Sequence, residues 1–168
     1  IGSTYILKTA LCELGSANHK FLINRDKVHG IQQKHADFIN KNKCVDLLII
    51  SDSSSNDIDI IKQMECDVLC IDHHDLLHRD LYGKCNDGVH SYVIVNSTID
   101  NDDFMSDNSE LAKINSQAFT NLEPYKGTET MSCGLVIYEL LRVYFTCFNS
   151  ELALENKMLY QWAGVTLY

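Results

Sequence analysis

The chain has 168 residues, 45% of them hydrophobic, and a formal net charge of -9, which suits a single domain with a substantial core. No apolar run approaches the ~20 residues of a membrane-spanning helix and no signal-peptide pattern opens the chain. The acidic balance argues against a broad, generic nucleic-acid surface. The seven cysteines are odd in number, scattered and without a Cys-x-x-Cys pair, so they support neither a zinc ribbon nor a disulfide framework and point to a reducing cytosol.

In chain order, Ser3 or Thr4 can cap a helix whose apolar residues Ile6, Leu7, Ala10, Leu11 and Leu14 keep helical spacing, with Gly15 as its stop. Lys20 to Asn24 reads as a strand, Arg25 to Gly30 as a polar turn, and Ile31 to Asn40 as a second amphipathic helix. Val45 to Ile50 is a continuous apolar strand. Ser51 to Asp57 then forms a loop that offers caps for a helix over Asp57 to Met64, with Ile58, Ile60, Ile61 and Met64 inward. The next strand, Val68 to Ile71, completes a βαβ unit. Asp75 to Asp80 predicts a short helical turn, and Ser91 to Asn96 another strand.

Residues 97–130 are polar and irregular and hold the only proline, Pro124. They read as an insertion or long loop with one helical piece around Glu110 to Phe119, and their acidic run from Asp100 to Glu110 as a solvated loop. Ser132 opens an apolar helix over Leu135 to Phe148, and Glu151 to Trp162 begins the last. Strands alternating with helices predict an α/β fold, a doubly wound and mainly parallel sheet with helices on both faces.

The strand Val68 to Ile71 stops abruptly at Asp72-His73-His74-Asp75. Two adjacent imidazoles on a strand point to opposite faces, so core packing does not account for them. At the carboxyl end of a parallel strand they project into the crevice where open α/β sheets bind ligands. The plainer alternative is a polar strand-to-helix turn with Asp75 as a cap. Asp52 ends the preceding strand in the same way, and right-handed crossovers bring both carboxyl ends to one edge. Parallel neighbours lie about 4.8 Å apart, so Asp52 and His73 can reach a common ion; helix capping is the alternative for Asp52. Oxygen and imidazole donors without thiolate favour manganese or magnesium over structural zinc.

Ile71-Asp72-His73-His74 resembles the signature of the DHH phosphoesterases, and Ile49-Ile50-Ser51-Asp52 resembles the motif that precedes it. Around these, Ile1 to Leu7 resembles the stretch just after the family's first motif, an Asp-x-Asp-Gly segment. Phe21-Leu22-Ile23-Asn24-Arg25 with His29-Gly30 is similar to the family's strand ending in an arginine turn. Val95-Asn96 looks like the entry to the final third. Ser132-Cys133-Gly134-Leu135-Val136 resembles a small-residue helix start of RecJ-like members, and Trp162 to Thr166 the helix before the last metal-binding aspartate. The likeness implies an incomplete DHH catalytic domain over residues 1–168. The acidic pair of the first motif would precede Ile1, the last acid would come after Tyr168, and the first strand and the smaller C-terminal substrate-binding domain would be missing.

Carried over residue by residue, the resemblance makes Asp52 and His73 metal ligands. It places His74 near the scissile phosphate, with Asp72 orienting a histidine. Two divalent ions, manganese or magnesium, would clamp the attacking and leaving oxygens of an in-line displacement. Arg25 is a candidate phosphate contact because its planar fork suits phosphoryl oxygens, with a plain surface arginine as the alternative. Ser53, Ser54 and Ser55 can donate to phosphate or cap a helix. Ser132 and Gly134 can present backbone N–H groups to an anion at a helix start or serve close packing. His19, His29, His35, His78 and His90 have no ligand neighbours in sequence and read as surface or core residues.

The expected activity is a metal-dependent phosphodiesterase, nearest the RecJ-like single-stranded-DNA 5′–3′ exonucleases of DNA repair. The alternatives are a small-substrate phosphoesterase (acting on oligoribonucleotides, cyclic dinucleotides, adenosine bisphosphate or pyrophosphate) and a non-catalytic scaffold on the same fold. The expected partner is single-stranded nucleic acid or a short nucleotide, with no membrane. Because Val45 to Ile50 would lack its neighbouring strand, the chain by itself is expected to be poorly soluble and to bind metal weakly.

Overall fold

The computed structural model of the chain describes residues 2–16, 18–23, 28–98 and 132–148. In chain order the elements are α1 (Gly2–Glu13), α2 (Gln33–Lys41), β1 (Leu47–Ser51), α3 (Ile58–Ile61), β2 (Asp67–Asp72), β3 (Tyr82–Lys84), β4 (Ser91–Asn96) and α4 (Cys133–Phe148). The expected helical piece at Glu110 to Phe119, the last helix at Glu151 to Trp162 and residue Arg25 lie outside the described residues, as does most of the 97–130 excursion.

Apolar, β-branched runs make β1 and β2, and the short crossover through α3 pairs them in parallel with Leu47 opposite Asp67 and Ser51 opposite Ile71. β4 joins the other side of β2, also parallel, with Asp72 opposite Asn96. The sheet order is β1-β2-β4-β3, and β3 runs antiparallel to β4. The fold is therefore α/β with a mixed, mostly parallel sheet. The antiparallel strand arises from a tight hairpin at Asp87-Gly88. There Gly88 takes φ 72°, and the Asp87 carboxylate accepts the backbone N–H groups of Val89 and His90.

Because side chains alternate across a strand, two separate cores form. Leu48, Ile50, Val68, Cys70, Tyr92 and Ile94 pack with Ala36 and Ile39 of α2 and Ile61 of α3, together with Met64. Ile49, Leu69, Ile71, Val93 and Val95 pack on the other side with Ile6, Leu7 and Ala10 of α1 and Val136, Ile137, Leu141 and Phe145 of α4. Each fully buried large side chain, such as Ile71 or Phe145, contributes roughly 1.5–3 kcal/mol of burial free energy.

Several local expectations are corrected. Ser3 does not cap α1: it is buried within the helix and its hydroxyl meets the Cys133 thiol. Lys20 to Ile23 forms no strand, and Leu22 and Ile23 are 69% and 76% exposed, unpaired with any strand among the described residues. α2 begins at Gln33, where the His35 ring accepts the Gln32 backbone N–H at 3.1 Å. α3 closes after one turn. Asp75 to Asp80 is irregular, not helical, because side chains hold it: Asn56 donates to the Asp75 carbonyl and accepts from the Leu77 N–H, each at 2.8 Å. Lys62 and Tyr92 both hydrogen-bond to Asp80 and tie the segment to α3 and β4. Among the described residues no helix is long and apolar enough to cross a membrane.

Candidate functional site

The rim of the sheet is set by where β1 ends. The Asp52 N–H still donates to the Ile71 carbonyl at 3.0 Å, and then the chain leaves the ladder through two left-handed residues, Asp52 (φ 68°) and Ser54 (φ 78°). Non-glycine residues enter this region rarely, Asp and Asn most easily, and such conformations gather at functional turns. On the neighbouring strand β2 ends at Asp72, so His73 emerges beside this turn. His73 Nε2 lies 3.2 Å from Asp52 Oδ1. The two strand ends thus deliver an imidazole and a carboxylate to one point, as the parallel pairing predicts.

Asp72 is the organiser behind them. It is 1% exposed, a burial that costs dearly unless every oxygen is hydrogen-bonded. Its Oδ2 accepts the Ser55 hydroxyl at 2.7 Å and the Ser55 backbone N–H at 3.1 Å. Its Oδ1 accepts the His73 backbone N–H at 2.8 Å and lies 2.6 Å from His74 Nδ1. Burial pushes the Asp72 carboxyl up, but the hydrogen bonds from Ser55, His74 and the His73 backbone together outweigh it and hold the group below the usual carboxylate range. An ionised carboxylate can only accept, so the proton of His74 sits on Nδ1 and Nε2 is the ring's outer nitrogen. The hydrogen bond to Asp72 raises the His74 pKa; desolvation opposes the shift, and the charges of Asp72, Asp52 and Asp75 add to it.

Backbone clamps fix the same corner. The buried Asn96 at the end of β4 donates to the His74 carbonyl at 2.9 Å. His78 Nε2 is 2.9 Å from the Ser55 carbonyl, while its Nδ1 accepts the Asp80 N–H, so the ring bridges the serine loop to Asp80. α4 starts here too: Cys133 Sγ donates to the Ile71 carbonyl at 3.3 Å. Burial and the nearby Asp52 charge push that thiol up to about 12, so it is no nucleophile.

Of the sequence-predicted site residues, Asp52, Asp72, His73 and His74 come together. Gly134 is buried in the first turn of α4 and Ser132 is exposed just before it. The Ser132 hydroxyl accepts the Leu135 N–H at 3.4 Å, a local cap at that helix start. Arg25 falls outside the described residues. The serine loop neither caps α3 nor stands free: Ser55 holds Asp72, and Ser54 accepts the Ile31 N–H at 2.8 Å. Sequence reasoning missed Asn56, His78 and Asn96, whose bonds to the site span 19 to 23 residues. It also missed His29, whose ring centroid lies 6.4 Å from that of His74.

Two donors on adjacent vertices of an octahedral ion with bonds of about 2.1 Å stand roughly 3 Å apart, so Asp52 and His73 fit two positions around one divalent ion. A carboxylate oxygen beside an imidazole nitrogen is a donor pair open to several divalent ions. Among the described residues no group of three His, Cys, Asp or Glu gathers where it could hold a metal ion, so the fit extends to this pair alone. Comparison with protein-family models, with curated proteins and with solved structures finds no match to the chain.

Proposed function

We propose that this chain carries part of the active site of a metal-dependent phosphodiesterase on a doubly wound sheet of the DHH phosphoesterase kind, acting on single-stranded nucleic acid. The reading rests on the resemblance of Ile71 to His74 and Ile49 to Asp52. The observation that carries it is the 3.2 Å approach of His73 Nε2 to Asp52 Oδ1 across neighbouring parallel strand ends. Asp52 and His73 would hold a manganese or magnesium ion. Such an ion supplies Lewis-acid stabilisation of charge on a phosphoryl group.

The chain's own groups do the rest. Asp72 fixes the His74 ring through Nδ1 and favours its imidazolium, so that Nε2–H can donate to an anionic phosphoryl oxygen. Ser55 and Asn96 hold Asp72 and the His74 backbone so that neither histidine swings away. The net charge of -9 favours, as a second reading, a short oligonucleotide or nucleotide over a long strand.

The test is manganese-dependent cleavage of a 5′-labelled single strand by the full-length protein. Asp52→Asn, which keeps a side chain suited to the left-handed turn, and His73→Ala each reduce cleavage by at least about 100-fold. Cleavage undiminished in either variant overturns the proposal, and a panel of short substrates at fixed salt separates the two readings.

A further inference from the structure

His29 has no ligand-type neighbour in sequence, yet the fold delivers it to the site on the turn at Gly30. Gly30 beside it takes φ 90°. A Cβ there would stand 2.2 Å from Asp57 Oδ2, so the left-handed backbone and the nearby carboxylate both favour glycine. The Ile31 N–H is held twice, by Ser54 Oγ at 2.8 Å and by Asp57 Oδ2 at 3.1 Å. The loop that anchors this turn is therefore the same loop that anchors Asp72 through Ser55. His29 itself is exposed and makes no hydrogen bond or ion pair among the described residues. Its ring faces that of His74, centroid to centroid 6.4 Å and tilted by 58°. His74 in turn lies 4.6 Å from the His73 ring, so imidazoles line the site from Asp52 to His29.

We propose that His29 is a further substrate-binding residue, which with His74 forms a two-imidazole clamp for an anionic phosphoryl oxygen. The spacing leaves room for one oxygen to accept from both rings at ordinary lengths of about 2.8 Å. The two hydrogen bonds to the Ile31 N–H hold the backbone just after His29, which lowers the ordering needed to reach a ligand. The clamp deepens the phosphodiesterase reading and rests on it for the identity of the anion.

The experiment is an NMR titration of the protein with thymidine 5′-monophosphate in the absence of divalent metal, tracking the ring C–H signals of His29 and His74. Both signals move along one binding curve, and His29→Ala weakens binding by about tenfold or more, the worth of one hydrogen bond to a charged acceptor. His29→Gln, which keeps an N–H donor, recovers part of the loss. A His29 signal that stays still, or a His29→Ala variant that binds as tightly as the parent, overturns the clamp. The outcome is separable from that of the cleavage test. If Asp52→Asn abolishes cleavage and His29 is silent, only the clamp falls. If Asp52→Asn cleaves normally while His29 responds, the phosphodiesterase reading falls and the anion site stands.

Discussion

Replacing Ser55 with alanine removes one hydroxyl and leaves the backbone and Cβ in place. The lost group is the 2.7 Å donor to Asp72 Oδ2, a carboxylate 1% exposed. A hydrogen bond to a charged group contributes about 1.5–3 kcal/mol. The Ser55 N–H still reaches the same oxygen at 3.1 Å, so the lower part of that range applies, about 1.5–2 kcal/mol. For a chain of 168 residues this lowers the thermal midpoint by about 3–8 °C. Linkage sets the sign of the pH dependence. The Asp72 carboxyl titrates below its ordinary value of 3.8 in the fold, so its contribution is complete above about pH 5 and is lost as the pH falls through the folded value. Urea unfolding monitored by circular dichroism should therefore give a constant deficit for Ser55→Ala near neutral pH and a shrinking one in acid. A deficit below about 0.5 kcal/mol at neutral pH, the size of an ordinary surface change, would refute the reasoning. So would one that stays flat as Asp72 protonates.

Gly30→Ala meets both a left-handed backbone and the Asp57 carboxylate, and should destabilise the chain by about 1–3 kcal/mol in the same urea assay; an unchanged midpoint would show that the turn relaxes freely. Thiol labelling with a disulfide reagent should find Cys12 and Cys44 fast and Cys66, Cys70, Cys85 and Cys133 slow until the chain unfolds. The first two are exposed, and burial pushes the other four thiols up, Cys66 to about 11; rapid labelling of Cys70 in the native chain would contradict the packing. Calorimetric titration of the 168-residue chain with manganese should show weak binding, since only Asp52 and His73 are gathered among the described residues. Tight binding that survives Asp52→Asn would place the cation elsewhere.

The parts of this fold that the sequence made legible are those governed by short-range pattern. Leu47 to Ile50 and Val68 to Ile71 are apolar runs with ends marked by acids, and their parallel pairing brought Asp52 to His73. Pattern failed where tertiary partners decide. Tyr82 to Lys84 is too short to show alternation, and it becomes a strand because β4 offers an edge and Tyr92 lies over Gly83. Phe21 to Ile23 has the composition of a strand but finds no edge. Ser55 looked like a helix cap because its bond to Asp72 crosses 17 residues. His29 looked like a surface residue because only the turn at Gly30 shows where its ring goes.

The left-handed turn at Asp52 narrows what single substitutions can do at this position. Aspartate, asparagine and glycine adopt φ 68° readily, whereas branched or bulky side chains resist it. Drift can therefore strip the acid while sparing the architecture most readily by two routes, to the amide or to no side chain at all. On the proposed metal reading, which of the three occupies the place would separate chains that can offer this carboxylate to a cation from chains that keep only the shape.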